Sequence, residues 1–236
     1  MTEMRKSGKG TVDLMSDKLG NVNYLACSLA NYAKGRNGRG IKYIVVHYTA
    51  GDGDSAKNNA EYFSRRSVTA SAHYFVDENE VWQSVNDCDT AWHCGGNSYR
   101  HPECRNANSI GVEICSRKDA DGKYYFMTDA VSNAVRLVRA LMDKYGVTAD
   151  RVLRHYDVTG KNCPAPFVEN EGAWEKFKES LTCAEEEVFD ANDLVWELGR
   201  RGIITNKALW LTKLSTDVNC FFLAKKTVDY LAGLGV

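Results

Sequence analysis

Hydrophobic positions along this chain come in two rhythms. Ile41, Tyr43, Ile44, Val45 and Val46 crowd into a short, largely β-branched run that ends on His47, which predicts a buried strand. From Ser109 to Cys115 the pattern alternates, with Ile110, Val112 and Ile114 against Gly111, Glu113 and Cys115, the period of a strand with two different faces. Ser71–Asp77 and Val81–Val85 read as a hairpin around Glu78 and Asn79, and Val152–Leu153 as a further short strand. Helical spacing appears between them. Asp54 or Ser55 caps a helix to about Arg65, with Ala56, Ala60 and Phe63 on one face. Thr128 caps a longer one, with Val131, Val135, Val138, Leu141, Met142 and Tyr145 as its stripe and Gly146 as its stop. Trp174–Leu181 suggests another. Strands and helices interleave, so residues 28–182 are expected to form one α/β domain.

The flanks read differently. Residues 1–27 are polar and aperiodic, a poorly ordered lead-in, and Lys34–Gly40 is a flexible basic approach to the first core strand. Asn86–Asn108 is a long loop with few periodic apolars, a length that is usually either functional or disordered. After a linker-like Thr182–Glu187, residues 183–236 form a small all-helical module, with helical patterns at Asn192–Arg200, Lys207–Leu214 and Asp217–Leu231. So little helix is marginal alone. It is expected to pack on the larger domain, on a second copy of the chain as a homo-oligomer, or on a ligand. Its aromatics Trp196, Trp210, Phe221, Phe222 and Tyr230 suit a small core, a wall-binding face or a self-association face.

Charge narrows the partners. The net charge is −1 with both signs interspersed, so no electrostatic case exists for nucleic acid. No run approaches the ~18 apolar residues of a membrane helix, so no membrane insertion is expected. Met1–Gly20 lacks the apolar core of a secretory signal, which implies synthesis in the cytoplasm without a signal peptide. Of the eight cysteines, most read as reduced thiols. Cys88, Cys94 and Cys104, close to His93 and His101, leave open a disulfide or a second metal site.

The chemistry concentrates in Arg154–Pro164. His155 and Cys163 lie eight positions apart, with Lys161 two before the cysteine. Together with His47 they offer two imidazoles and a thiolate, a donor set that suits Zn2+ and leaves a fourth position for water. Glu113, an acid inside an apolar strand, is the candidate general base, and Lys161 the candidate partner of an oxyanion. Each residue taken singly has an ordinary structural alternative: a satisfied histidine, a solvated strand glutamate or loop lysine, a small buried thiol.

In order, Ile41–Ala50, Ser71–Asp77, Ala91–His93, Asn108–Ile114 and His155–Pro164 resemble the zinc-dependent N-acetylmuramoyl-L-alanine amidases of phage endolysins and bacterial autolysins. The resemblance spans about residues 28–182. It implies a mixed, mainly parallel central sheet flanked by helices, a fold shared with peptidoglycan recognition proteins. It also implies zinc ligands His47, His155 and Cys163, general base Glu113 and oxyanion stabiliser Lys161, with His73, Trp92 and His93 either lining the cleft or supporting it. Some members of the wider superfamily carry a catalytic tyrosine just before the second-strand histidine. Here Ala72 precedes His73, so Tyr74 does not inherit that role and the chain groups with glutamate-using members.

The reaction so implied is hydrolysis of the amide between N-acetylmuramic acid and the L-alanine of the stem peptide, in cell lysis or wall remodelling. The partner is bacterial peptidoglycan, met after release from the cytoplasm. Two alternatives stand beside it: a recognition module that holds muropeptide without cutting, and an amidase for small soluble muropeptides.

Overall fold

The structure, a computed structural model, describes residues 22–65, 68–96, 98–182, 195, 198, 199, 202–216, 224 and 227. In chain order the larger unit runs β1 (Val22–Tyr24), β2 (Tyr32–Ala33), β3 (Tyr43–Tyr48), α1 (Ala56–Arg65), β4 (Tyr74–Val76), β5 (Val81–Gln83) and β6 (Thr90–Ala91). It continues with β7 (Ser109–Ile114), β8 (Arg117–Lys118), β9 (Tyr124–Tyr125), α2 (Thr128–Tyr145), β10 (Val152–Arg154), α3 (His155–Thr159), α4 (Ala165–Val168) and α5 (Glu171–Thr182). Six strands form one sheet in the order β1-β5-β4-β7-β3-β10. Every neighbour pair is parallel except the β4–β5 hairpin, so the sheet is mixed and mainly parallel. Asp77 closes that hairpin: its Oδ1 accepts the Asn79 and Glu80 backbone N–H groups.

The two faces of the sheet have different work. Ile44, Val46, Ile110, Val112 and Ile114 point to one side and pack with Leu137, Val138 and Leu141 of α2 and with Trp174, Phe177 and Leu181 of α5. Full burial of each such side chain stabilises by about 2 kcal/mol. On the other side Tyr43 and Val45 meet Cys94, Cys104 and Val158, and His47 and Glu113 continue those rows toward the strands' C-terminal ends. The alternation of the sequence thus separates a core face from a face that can carry chemistry.

Helix α2 spans the expected residues and stops at Gly146, which takes φ 63 as its left-handed cap. Two details differ. Met127 rather than Thr128 holds the N-cap position, and the most buried positions are Ala130, Ala134, Leu137, Val138, Ala140 and Leu141. Val131, Val135, Met142 and Tyr145 are only half-buried. Small alanines on the inner line let the helix lie close to the sheet, and the larger residues fill its flanks.

The Asn86–Asn108 stretch is a built element. It contributes β6, paired with β2, and a 3₁₀ turn at Asn106–Asn108. Arg36, from the approach expected to be flexible, is buried and clamps it, donating from Nε to the Asp87 carbonyl (2.5 Å) and from Nη1 to those of Ala107 (3.2 Å) and Ser109 (3.0 Å). Asp87 in turn accepts from Tyr74, Lys144 and Tyr145, tying the loop to the end of α2.

The expected lead-in also needs correction. β1 adds a parallel edge strand to β5, so the fold begins no later than residue 22, and of the expected lead-in only residues 1–21 lie outside the described ones. The chain divides into two units, Met1–Thr182 and Cys183–Val236. In the second, α6 (Lys207–Thr216) realises the central helical pattern. The patterns at Asn192–Arg200 and Asp217–Leu231 fall largely outside the described residues, as do Trp196, Phe221, Phe222 and Tyr230. Among the described residues no helix is long and apolar enough to cross a membrane.

Candidate active site

The central strands set the site. β3 and β7 run side by side with His47 opposite Glu113, so both side chains leave the same face at the same level. β10 flanks β3 with Arg154 opposite Val46, which puts His155, the first residue of α3, beside His47. Asp157 caps that short helix by accepting the Arg154 N–H at 2.8 Å. Gly160 ends it at φ 86, a conformation glycine takes without a steric penalty. The chain then doubles back until the Cys163 carbonyl accepts the Tyr156 N–H at 2.8 Å. The eight-residue spacing is therefore one helical turn and its return, with both ends facing His47.

His47, His155 and Cys163 are all buried, and their ligand atoms lie within 4.8 Å of one another. Cys163 Sγ is 3.6 Å from His47 Nδ1. The His155 ring is hydrogen-bonded to the Gly95 backbone, yet its Nε2 is buried without a partner. A bare imidazole nitrogen converging on a thiol and a second imidazole is what a metal-ligand set requires.

Electrostatics point the same way. Burial, then the neighbouring His155, His93 and Lys161 charges, hold His47 well below the usual histidine range. Burial and Lys161 bring His155 down to about 4. Both imidazoles are neutral at pH 7, the form in which a histidine can hold a metal. Burial, reinforced by Glu113, pushes the Cys163 thiol up to about 12, a shift that a bound cation reverses. Burial also raises Glu113 to about 8, with Lys161 opposing and Asp54 adding. Glu113 as a whole is half-buried, but Oε2 is sealed and unpartnered. Lys161 itself is exposed, close enough for its charge to act on all four neighbours.

Two of the residues expected at the cleft are buried supports. His73 is fully buried; its Nδ1 accepts the Gly111 N–H (3.0 Å) and its Nε2 meets Arg36 (2.8 Å). His93 lies behind His47, with Nδ1 3.0 Å from His47 Nε2 and Nε2 3.1 Å from Ser109 Oγ. Of the three, Trp92 alone keeps exposed surface. The sequence reading missed Ser109 and Arg36, since a serine opening a strand and an arginine in a Gly-rich approach carry no local signal. The loop cysteines form no second centre: the ligand set above is the one such group among the described residues, and Cys88, Cys94 and Cys104 are free. Cys88 is exposed, while Cys94 and Cys104 are buried.

The family description "N-acetylmuramoyl-L-alanine amidase" matches residues 37–166, a span that contains His47, Glu113, His155, Lys161 and Cys163. The chain belongs to the N-acetylmuramoyl-L-alanine amidase family. Among its amidase relatives, BlyA of Bacillus subtilis strain 168 is 40% identical over 153 residues, covering 59% of this chain and 41% of BlyA. A probable N-acetylmuramoyl-L-alanine amidase of Bacillus licheniformis is 38% identical over 150 residues, covering 60% of this chain and 41% of its own length. The chain thus spans about two fifths, 41%, of these curated relatives. The structure of the XlyA catalytic domain superposes with a TM-score of 0.56 at 28% identity, over 68% of this chain and 99% of that domain.

Proposed function

We propose that this amidase-family chain is a Zn2+-dependent peptidoglycan hydrolase that cleaves the amide between N-acetylmuramic acid and the L-alanine of the stem peptide. The observation that carries the reading is the convergence of two neutral imidazoles and a thiol beside a sealed, unpartnered carboxylate oxygen. Zinc fits the donors. Tetrahedral bonds of ordinary Zn–N and Zn–S length put nitrogen and sulfur about 3.6 Å apart, and His47 Nδ1 and Cys163 Sγ stand at 3.6 Å.

When bound, the metal supplies a Lewis acid for the scissile carbonyl and a place for the attacking water. Glu113 takes the proton from that water. A carboxylate at this place can accept that proton and then return it to the leaving alanine nitrogen. The products are the lactyl carboxylate and an alanine ammonium, which together retain both protons of the water, so the proton count closes. Lys161, exposed at the rim, places an ammonium beside the oxyanion, where such a charge contributes about 3 kcal/mol. The half-buried Trp92 offers an apolar edge for substrate, while His73 and His93 act from beneath.

A recognition module that binds without cutting would not need Glu113, Lys161 and the three ligands together. Residues 183–236 are assigned to wall binding or to self-association, and the place of action to the cell wall after release. The deciding experiment measures free L-alanine amino termini released from purified walls, with chelator and with zinc added back. Chelator-sensitive release restored by zinc supports the reading. Intact metal binding with release only from soluble muropeptides would move the substrate, and no release from either would return the chain to recognition.

A further inference from the structure

The metal ligand His47 is held from behind by a hydrogen-bonded chain whose direction is fixed at its far end. Ser109 Oγ donates to the Arg105 carbonyl at 2.8 Å, and a carbonyl can only accept. The hydroxyl proton being spent there, Ser109 Oγ accepts from His93 Nε2 at 3.1 Å. His93 therefore carries its proton on Nε2 and presents a lone pair on Nδ1, 3.0 Å from His47 Nε2. His47 must donate from Nε2, which leaves Nδ1 bare and facing Cys163 Sγ at 3.6 Å.

The neighbours do not offer another direction. Asn106 Oδ1 accepts the His93 and Cys94 backbone N–H groups, so it is the amide oxygen, and the Cys94 thiol donates to it at 3.2 Å. Cys94 Sγ stands 3.8 Å from Ser109 Oγ, a weaker attraction than the carbonyl. His47, His93, Ser109 and Cys163 are all buried. Gly111 makes room for it: a Cβ there would stand 2.5 Å from His93 Cγ.

We propose that His93 and Ser109 are positioning residues which lock His47 into its Nε2–H tautomer, presenting Nδ1 as a ready metal ligand before any metal arrives. The inference rests on the metal-site reading above. Partners of this kind around a ligating histidine typically change metal affinity by about 10–100-fold.

The test compares the full chain with Ser109→Ala, His93→Leu and His93→Asn, whose amide oxygen can take the place of Nδ1. Two readouts are used: zinc affinity by competition with a chromophoric chelator, and the His47 tautomer by ¹⁵N NMR of the metal-free protein at pH 8. Expected are a pure Nε2–H signal for wild type, a mixed one for Ser109→Ala and His93→Leu, about 10-fold weaker zinc binding in Ser109→Ala, and recovery in His93→Asn. A folded Ser109→Ala with wild-type affinity and tautomer would overturn the proposal, and so would His93→Asn as impaired as His93→Leu, which marks mere packing. Wild type that binds no zinc but shows the fixed tautomer would sink the metal reading and leave the hydrogen-bonded chain standing. The Ser109→Ala change removes one buried oxygen, so folding does not confuse the outcome.

Discussion

His47 on β3 and Glu113 on β7 are register partners across one parallel strand pair. The proposed metal ligand and the proposed base are therefore fixed relative to each other by backbone hydrogen bonds rather than by loops. Their separation does not depend on substrate closing the site.

That rigidity makes Glu113 a clean test. Glu113→Gln keeps the shape and removes the basicity. Turnover on purified walls is expected to fall about 10²–10⁴-fold, with zinc stoichiometry unchanged. Activity within a factor of a few of wild type would remove Glu113 as the base.

Cys163→Ala removes a proposed metal ligand while the Cys163 backbone still holds the return of α3. Metal content by atomic absorption and turnover should both collapse, while circular dichroism stays native. A variant that keeps zinc at wild-type affinity would show that the thiol is not a ligand.

Gly111→Ala tests the close approach of His93 to β7. The new Cβ would stand 2.5 Å from a buried ring carbon, so ring or strand must shift, at a cost of about 1–3 kcal/mol. Urea unfolding should show that loss. Zinc affinity should weaken with it, because the displaced ring is the one behind His47.

Acid should destabilise this fold before most carboxylates titrate. Burial, with the Arg36 charge adding, lowers His73 to about 3, from the 6.5 of an unstrained histidine. Between those values the unfolded chain binds a proton that the folded chain refuses, so stability is whole above pH 6.5 and drains as pH falls toward 3. One such histidine contributes about 2 kcal/mol of loss by pH 5. Denaturant midpoints at pH 7 and 5 should differ by at least that much, since burial lowers His47, His93 and His155 as well, and His73→Gln should reduce the difference by its own share. An equal slope in that variant would assign the effect elsewhere.

The sequence by itself determined the elements and the roster of chemical groups. Alternation at Ile110, Val112 and Ile114 set which face of β7 is core, and hence that Glu113 shares the other face. The β-branched run before His47, the stop at Gly146 and the spacing from His155 to Cys163 were equally local. Such features follow from strand and helix periods and from turn chemistry, which neighbours in sequence control.

What only the tertiary structure decided was which polar groups end up buried together. Arg36, His73, His93 and Ser109 come from separate segments, and nothing near each in sequence signals a partner. Their pairing arises because β3, β4 and β7 lie side by side with the Asn86–Asn108 segment folded over them, sealing donors and acceptors from water. Each buried group must then find its match or forfeit the cost of leaving solvent. Hence His73 and His93, which sequence allowed either at the cleft or beneath it, lie beneath it.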